Sequence, residues 1–466
     1  MRRTMPDAGQ ACSTFRMLNE HPRESEQGEI KNMSFAAFDF STAQALTNFH
    51  AALSLGAAEP FNQAARVGAA FFDLPPIRAA FGPVAAMGAG TLALADRLTR
   101  TYPKQAWDIP GHTPEAVMSL PFGDLVHFES DAPNAVRRPR VLLVAPMSGH
   151  FATLLRDTVR GLTRDHDVYV TDWRSASQVP LSAGRFDLDT YMIYLKQFFG
   201  YFGGDVHAVA VCQPGVPLLA TVSLMEEDNN PNAPKSMTLM GSPIDTRINP
   251  CTVNRLATEH DLGWFERNMI STVPPGLPGA GRKIYAGFMQ LTAFMSMNAG
   301  RHRDAHLDMM HATARGDRDA VTKFDGFYGE YNAVMDMPEE FYLSTIGDVF
   351  IDCKLAKGEF VHTDEQGRKR KVDPAKIRRV ALMTVEGERD DIAPPGQCLA
   401  AHDLCSALPA SRRVQWLQPG AGHYGIFDGK RWRSSILPLL SNFIESHDLH
   451  RTVVPAQVRK RMPAMA

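Results

Sequence analysis

The chain has 466 residues, with 49 Lys and Arg against 51 Asp and Glu and a formal net charge of −2. That balance excludes the strong basic excess of a nucleic-acid binder. A composition 44% hydrophobic and 21% charged excludes a disordered chain, and the length suits about three domains or one large fold with insertions.

The N-terminus carries Arg2 and Arg3 but no apolar run behind them, and Glu20, Arg23, Glu24, Glu26 and Glu29 follow. No signal peptide is expected there. Residues 1–32 are expected to form a disordered extension, with Met33 as an alternative start. No window approaches 18 uncharged apolar residues, so no membrane span is expected. Six cysteines (Cys12, Cys212, Cys251, Cys353, Cys398 and Cys405) form no CxxC pair. Neither a disulfide framework nor a zinc knuckle is expected, and a reducing compartment fits.

Residues 33–135 are expected to be an N-terminal helical segment. Ser41 suits an N-cap, and Ala45, Leu46, Phe49, Ala52 and Leu53 recur at helical spacing. Pro75 and Pro76 interrupt, and a second helical stretch runs through Leu92 and Leu98. Packing on the main domain is the plain reading; an amphipathic docking surface for an apolar particle is the alternative. Beyond Pro139 strands and helices alternate. Short apolar strands are expected at 141–145, 168–171, 206–211 and 237–240, with helices at 151–162, 188–199 and 215–225. This is the text of a parallel sheet covered on both faces. The alternation spans 136–243 and then stops. Residues 244–352 read as a helical insertion rich in Met and aromatic residues. Strands return at 380–384 and 414–417, and a helix at 434–446 closes the second core segment, 353–466. An insertion before the last strands of a sheet is a common way to build a cap.

Three segments carry candidate chemistry. At the strand-to-helix junction, Ala210-Val211-Cys212-Gln213-Pro214-Gly215 sets Cys212 where a nucleophile elbow places its nucleophile. The small flanking glycines of G-x-S-x-G are replaced by Ala210 and Pro214, so the strand-turn-helix context carries the assignment, not the pattern. Past the strand at 380–384, Asp390 and Asp391 both suit the orienting acid. Past the strand at 414–417, Gly420-Ala421-Gly422-His423-Tyr424-Gly425 offers His423 in a glycine-rich loop before the last helix. Nucleophile, acid and histidine thus follow in the required order. A thiol is only a few per cent ionised at pH 7, and a neighbouring imidazole can take its proton. A carboxylate on the far side of that imidazole fixes its tautomer and stabilises the imidazolium. Oxyanion donors are expected at the backbone N–H of Gln213 and in the loop after the first core strand, at Met147 or Ser148. His150 in that loop has no H-x-x-x-H or H-E-x-x-H partner, so no metal site is expected.

These segments together resemble the intracellular polyhydroxybutyrate (PHB) depolymerases, relatives of the polyhydroxyalkanoate synthases. The cysteine elbow, Arg389-Asp390-Asp391-Ile392-Ala393-Pro394, the histidine loop and Asp172-Trp173 carry the likeness, which runs from about Met33 into the C-terminal region. The resemblance implies an α/β-hydrolase fold and attack on amorphous polyester granules in the cytoplasm, without metal or cofactor. By the match, Cys212 is the nucleophile, His423 the base and Asp390 the orienting acid. The choice of Asp390 over Asp391 rests on the resemblance alone. An uncharged polymer calls for an apolar, adaptable groove, and the Met- and Phe-rich stretch 281–350, with Phe288 and Phe294, supplies such surface. The alternatives are a synthase-like acyltransferase using acyl-CoA and a non-enzymatic granule-coat protein. CoA enters as a co-substrate if cleavage is thiolytic. Oligomeric state, product length and preferred side-chain length are not legible.

Overall fold

The computed structural model describes residues 59–99, 102–131, 138–296 and 299–448. The expected extension at 1–32 and the helix expected to start at Ser41 lie outside these.

An eight-stranded sheet forms the centre. In chain order its strands are β1 (His112–Leu120), β2 (Gly123–Ser130), β3 (Arg140–Val144), β4 (Asp167–Trp173), β5 (His207–Val211), β6 (Ser236–Met240), β7 (Ala381–Gly387) and β8 (Arg413–Gln418). They lie side by side as β1-β2-β4-β3-β5-β6-β7-β8. From β4 to β8 every pairing is parallel, whereas β1 and β2 are antiparallel to their neighbours. The central strands are short apolar runs because both faces are covered; Val141, Leu142, Leu143, Val209, Ala210, Leu239 and Leu382 are wholly buried. Helix α3 (Arg156–Leu162) connects β3 to β4, α4 (Leu188–Phe202) connects β4 to β5, and α5 (Gly215–Glu227) connects β5 to β6. Helix α5 is buried on all sides from Gly215 to Glu226, which explains why its sequence lacks an amphipathic stripe. This order and connectivity is the α/β-hydrolase fold.

The stretch expected to be helical through residue 135 is not so at its end. Residues 112–130 form the β1–β2 hairpin, which joins the sheet through β2 against β4. Strand β1 is largely exposed along an edge, so its sequence lacks the apolar run that marks the buried strands. Upstream, α1 (Glu59–Asp73) and α2 (Pro75–Thr99) form a helical pair, α2 being kinked where Gly82 takes φ 46° before Pro83.

Between β6 and β7 lie α6 (Thr252–Glu259), α7 (Leu262–Met269), α8 (Gly287–Ser296), α9 (Ala299–Arg315), α10 (Arg318–Tyr331) and α11 (Glu339–Thr345). The insertion is not purely helical. Ile270–Thr272, Lys283–Tyr285 and Met337–Pro338 make a three-stranded antiparallel ribbon. Strands of two or three residues are too short to show an alternating pattern. The insertion also carries the N-terminal helices. A Cβ on Gly90 of α2 would stand 2.7 Å from the Met310 carbonyl of α9, and Arg97 of α2 binds Asp325 of α10 through two bonds of 2.7 and 2.6 Å.

Candidate active site

In a sheet of this kind, ligands bind beyond the carboxyl ends of the strands, where the connections diverge to opposite sides. Here β3 lies between β4 and β5, and the loops leaving β3, β5, β7 and β8 converge at that edge.

Cys212 follows β5 directly. Its φ is 68°, a left-handed conformation that costs a non-glycine residue free energy and persists only where the surroundings enforce it. Two contacts do so: its N–H donates to the Met240 carbonyl at 2.7 Å, and its carbonyl accepts from Gly215 N–H at 3.1 Å. A Cβ on Gly215 would stand 2.1 Å from Ser242 Oγ, so the helix can start against the neighbouring turn only with glycine there. Pro214 is accommodated because it caps α5 at φ −67°, the value its ring imposes, and loses no helical N–H. The departures from the glycine pattern thus have a local rationale.

The acid and histidine loops are zipped together. Arg389 N–H donates to the Ala421 carbonyl at 2.8 Å and Glu388 N–H to the Gln418 carbonyl at 3.0 Å. Gly387 permits this approach, since a Cβ there would meet the Ala421 carbonyl at 2.6 Å. Asp390 is buried; its Oδ1 accepts from the N–H groups of Ile392 and Ala393 at 2.9 and 2.8 Å. Its Oδ2 stands 2.7 Å from His423 Nδ1. Asp391 is exposed. Gly241, at the end of β6, makes room for the imidazole, because a Cβ there would be 3.0 Å from His423 Cε1. Burial alone would depress the His423 pKa. The Asp390 carboxylate and the Cys212 sulfur beside the ring outweigh it and hold the pKa well above the ordinary imidazole value. The structure therefore brings Cys212, His423 and Asp390 together in that sequence of contacts.

The loop after β3 is held at both ends. Ala145 N–H donates to Thr171 Oγ1 at 2.9 Å, and its carbonyl accepts from Trp173 Nε1 at 2.8 Å and from the Tyr191 hydroxyl at 3.3 Å. Asp172 accepts from Trp107 Nε1 at 3.3 Å and pairs with Lys104. Trp173 thus fixes the base of this loop, while Asp172 ties the strand to the segment carrying Lys104 and Trp107. At the far end the Gly149 carbonyl accepts from Met335 N–H at 2.6 Å, and His150 Nε2 lies 3.0 Å from the Tyr331 carbonyl. Burial lowers the His150 pKa to about 4, so this ring stays neutral and ties the insertion to the core. Between the two ends, Met147 N–H donates to Gln213 Oε1 at 3.1 Å. Among the described residues, no acceptor faces the N–H of Ser148 or of Gln213.

Phe288 is half-buried on α8 and packs against the main core, and Phe294 lies on the same helix with its side chain outside the described residues. Met289, Met309, Met335 and Met337 are buried; Met289, Met335 and Met337 join the main core rather than lining an open groove. Sequence reasoning missed Thr171, Tyr191, Gly241 and the Gln213 side chain. Only Gly241 left a signal, as a glycine directly after a buried strand. Among the described residues no group of three or more His, Cys, Asp or Glu is placed to hold a metal ion, and no helix is long and apolar enough to cross a membrane.

Residues 241–448 match the family described as PHB de-polymerase C-terminus. No curated protein matches the chain. Solved structures of similar fold include a soluble variant of monoglyceride lipase from Saccharomyces cerevisiae, with 13% identity over 74% of this chain and 99% of that one and a TM-score of 0.45. Others are a monoacylglycerol lipase from Paleococcus ferrophilus (13% identity, 67% and 97% covered, TM-score 0.38) and a thermophilic esterase from Thermogutta terrifontis (12%, 72% and 99%, 0.38). The family match on this sheet supports carboxylic ester hydrolysis.

Proposed function

We propose that this chain, whose residues 241–448 match the family described as PHB de-polymerase C-terminus, is a depolymerase that cleaves the ester bonds of polyhydroxybutyrate through an acyl-enzyme on Cys212. The observation that carries the reading is the strained Cys212, at φ 68°, beside an imidazole whose other nitrogen lies 2.7 Å from the buried Asp390 carboxylate.

The raised pKa of His423 favours its imidazolium form, so the ring takes the thiol proton of Cys212 as the sulfur attacks. The Cys212 thiolate attacks the ester carbonyl carbon, and the carbonyl electrons move onto oxygen. Collapse of the tetrahedral intermediate breaks the bond to the ester oxygen, and imidazolium delivers its proton to the departing alkoxide. A water then attacks the thioester as neutral His423 takes its proton. Thiolate leaves and regains its proton from imidazolium, and the 3-hydroxybutyrate unit or oligomer is released. Asp390 holds the ring by Nδ1. Buried N–H donors at the oxyanion are worth about 10²–10³ in rate each.

The substrate in this reading is amorphous polymer in cytoplasmic granules, and the partner is the granule surface. Purified protein incubated with amorphous granules should release 3-hydroxybutyrate and oligomers without CoA. Release only with CoA would make water the wrong acyl acceptor and the chain a thiolase. Absence of release in both arms, with granules still bound, would favour the coat-protein reading.

A further inference from the structure

The two residues best placed to offer oxyanion donors are bonded to each other. Gln213, directly after the nucleophile, turns its carboxamide oxygen onto Met147 N–H at 3.1 Å. Met147 itself is wholly buried. The ends of its loop are held independently, by Thr171 and Trp173 on one side and Met335 on the other. The glutamine bond is therefore not needed to keep the loop in place, and another role for it has to be found.

We infer that the Gln213 carboxamide is a place-holder in the oxyanion site, occupying Met147 N–H at rest and yielding it to the tetrahedral intermediate. This rests on the acyl-transfer reading of Cys212. The physical argument concerns three acceptors competing for one buried donor. An amide oxygen is a better acceptor than an ester carbonyl oxygen, so the neutral substrate gains nothing by displacing Gln213. An oxyanion forms a charge-assisted bond about twice as strong as a neutral one, and it does displace the amide. The donor then contributes in the transition state and not in the ground state, which is the condition for raising kcat rather than lowering KM. A buried N–H with no acceptor at all would be costly in the resting enzyme, and the carboxamide removes that cost as well. The released side chain keeps its own hydrogen-bonding groups free to meet water or polymer carbonyls.

Two substitutions, assayed with p-nitrophenyl butyrate, decide the matter, with melting temperature as a control on folding. Gln213→Leu keeps the backbone N–H and removes the competing acceptor. KM should then fall and kcat/KM rise, each about five-fold, the worth of one hydrogen bond. Gln213→Glu puts an anion on the same donor, which the oxyanion cannot displace, and kcat/KM should fall by about 100-fold or more. A fall of kcat/KM in Gln213→Leu with KM unchanged would overturn the inference, since it would make Gln213 a stitch that positions the loop. Full activity of Gln213→Glu would overturn it too. Failure of the underlying reading looks different: Cys212→Ala would then hydrolyse the ester as fast as the parent chain.

Discussion

The two ends of the parallel sheet each bury a histidine, and the two rings have opposite fates. His423, beyond the carboxyl ends, is 5% exposed; His207, at the amino end of β5, is 0% exposed. Near-equal burial penalises the charged form of both. His423 has the Asp390 carboxylate on Nδ1 and the Cys212 sulfur nearby, and its pKa rises. His207 has Ser236 Oγ on Nδ1 at 2.8 Å and the Lys235 cation nearby; burial first and that cation second lower its pKa to about 3. Lys235 itself is satisfied, between Asp205 and Asp448 at 2.5 Å each. The partner of the ring, not its depth, separates a candidate base from a structural histidine. The backbone makes the same distinction: the left-handed Cys212 stands at the carboxyl end of β5, whereas His207 lies within the regular part of that strand.

If that contrast is right, the largest effects belong to the carboxyl end. Cys212→Ala should abolish turnover of both granules and p-nitrophenyl butyrate while granule binding and melting temperature stay near the parent values. Iodoacetamide should label Cys212 ahead of Cys353, Cys398 and Cys405, which are buried; for Cys398 and Cys405 burial also drives the thiol pKa up. Asp390→Asn should lower kcat by about 10⁴, the penalty for losing the orienting carboxylate. Asp391→Asn, on an exposed and screened charge, should cost less than about tenfold. Reversal of the last two would shift the acid by one residue. Imidazole NMR of the parent chain should show neither His423 nor His207 titrating between pH 4.5 and 6.5, one remaining charged and the other neutral. In Asp390→Asn the His423 signal should move to the neutral form.

The same contrast explains what the sequence made legible. Cys212, Asp390 and His423 were readable because each follows the carboxyl end of a strand; β5 and β7, buried on both faces, read as apolar runs, whereas the edge strand β8 is partly exposed. Asp390 and Asp391 were separable only by resemblance, since the difference between them, three bonds from one carboxylate to Ile392, Ala393 and His423, is a matter of loop conformation. The β1–β2 hairpin escaped detection because its edge strand reads as polar text. The ties of Ala145 to Thr171, Trp173 and Tyr191 span 26, 28 and 46 residues, and no local pattern encodes such long-range bonds. The methionines at 289, 309, 335 and 337 suggested an adaptable surface but are mostly core, as composition cannot tell a packed face from an open one.

At the amino end, substitutions should change stability and leave chemistry alone. Lys235→Met removes the ammonium that Asp205 and Asp448 share, and losing one partner of a partly buried ion pair should cost about 1–3 kcal/mol. Denaturant unfolding should show that loss with kcat/KM on the short ester unchanged. His207 gives the pH-dependent counterpart. Its folded pKa of about 3 lies below the unfolded value of 6.5, so the unfolded state binds the extra proton and stability falls as pH drops from 6.5 toward 3. Between pH 6.5 and 4.5 that amounts to about 2–3 kcal/mol. His207→Gln should flatten the fall by that amount, measured as the difference in slope between the two proteins; an unchanged slope would mean that the ring is not held neutral.

The smallest effect concerns the insertion, which stands over the loop after β3. Gly149 shows how close it comes: a Cβ there would lie 3.3 Å from Gln290 of α8, so this helix stands directly over the loop carrying Met147. Phe288 lies two residues before Gln290 and is half-buried. If its exposed part contacts polymer, Phe288→Ala should weaken action on granules a few-fold, consistent with about 1 kcal/mol of apolar contact, and should spare p-nitrophenyl butyrate. If the ring only packs the core, both activities should fall together with the melting temperature, since truncating a buried aromatic costs about 3–5 kcal/mol. The ratio of the two activities is therefore the measurement to make, because a destabilised fold lowers both numbers and a lost polymer contact lowers one.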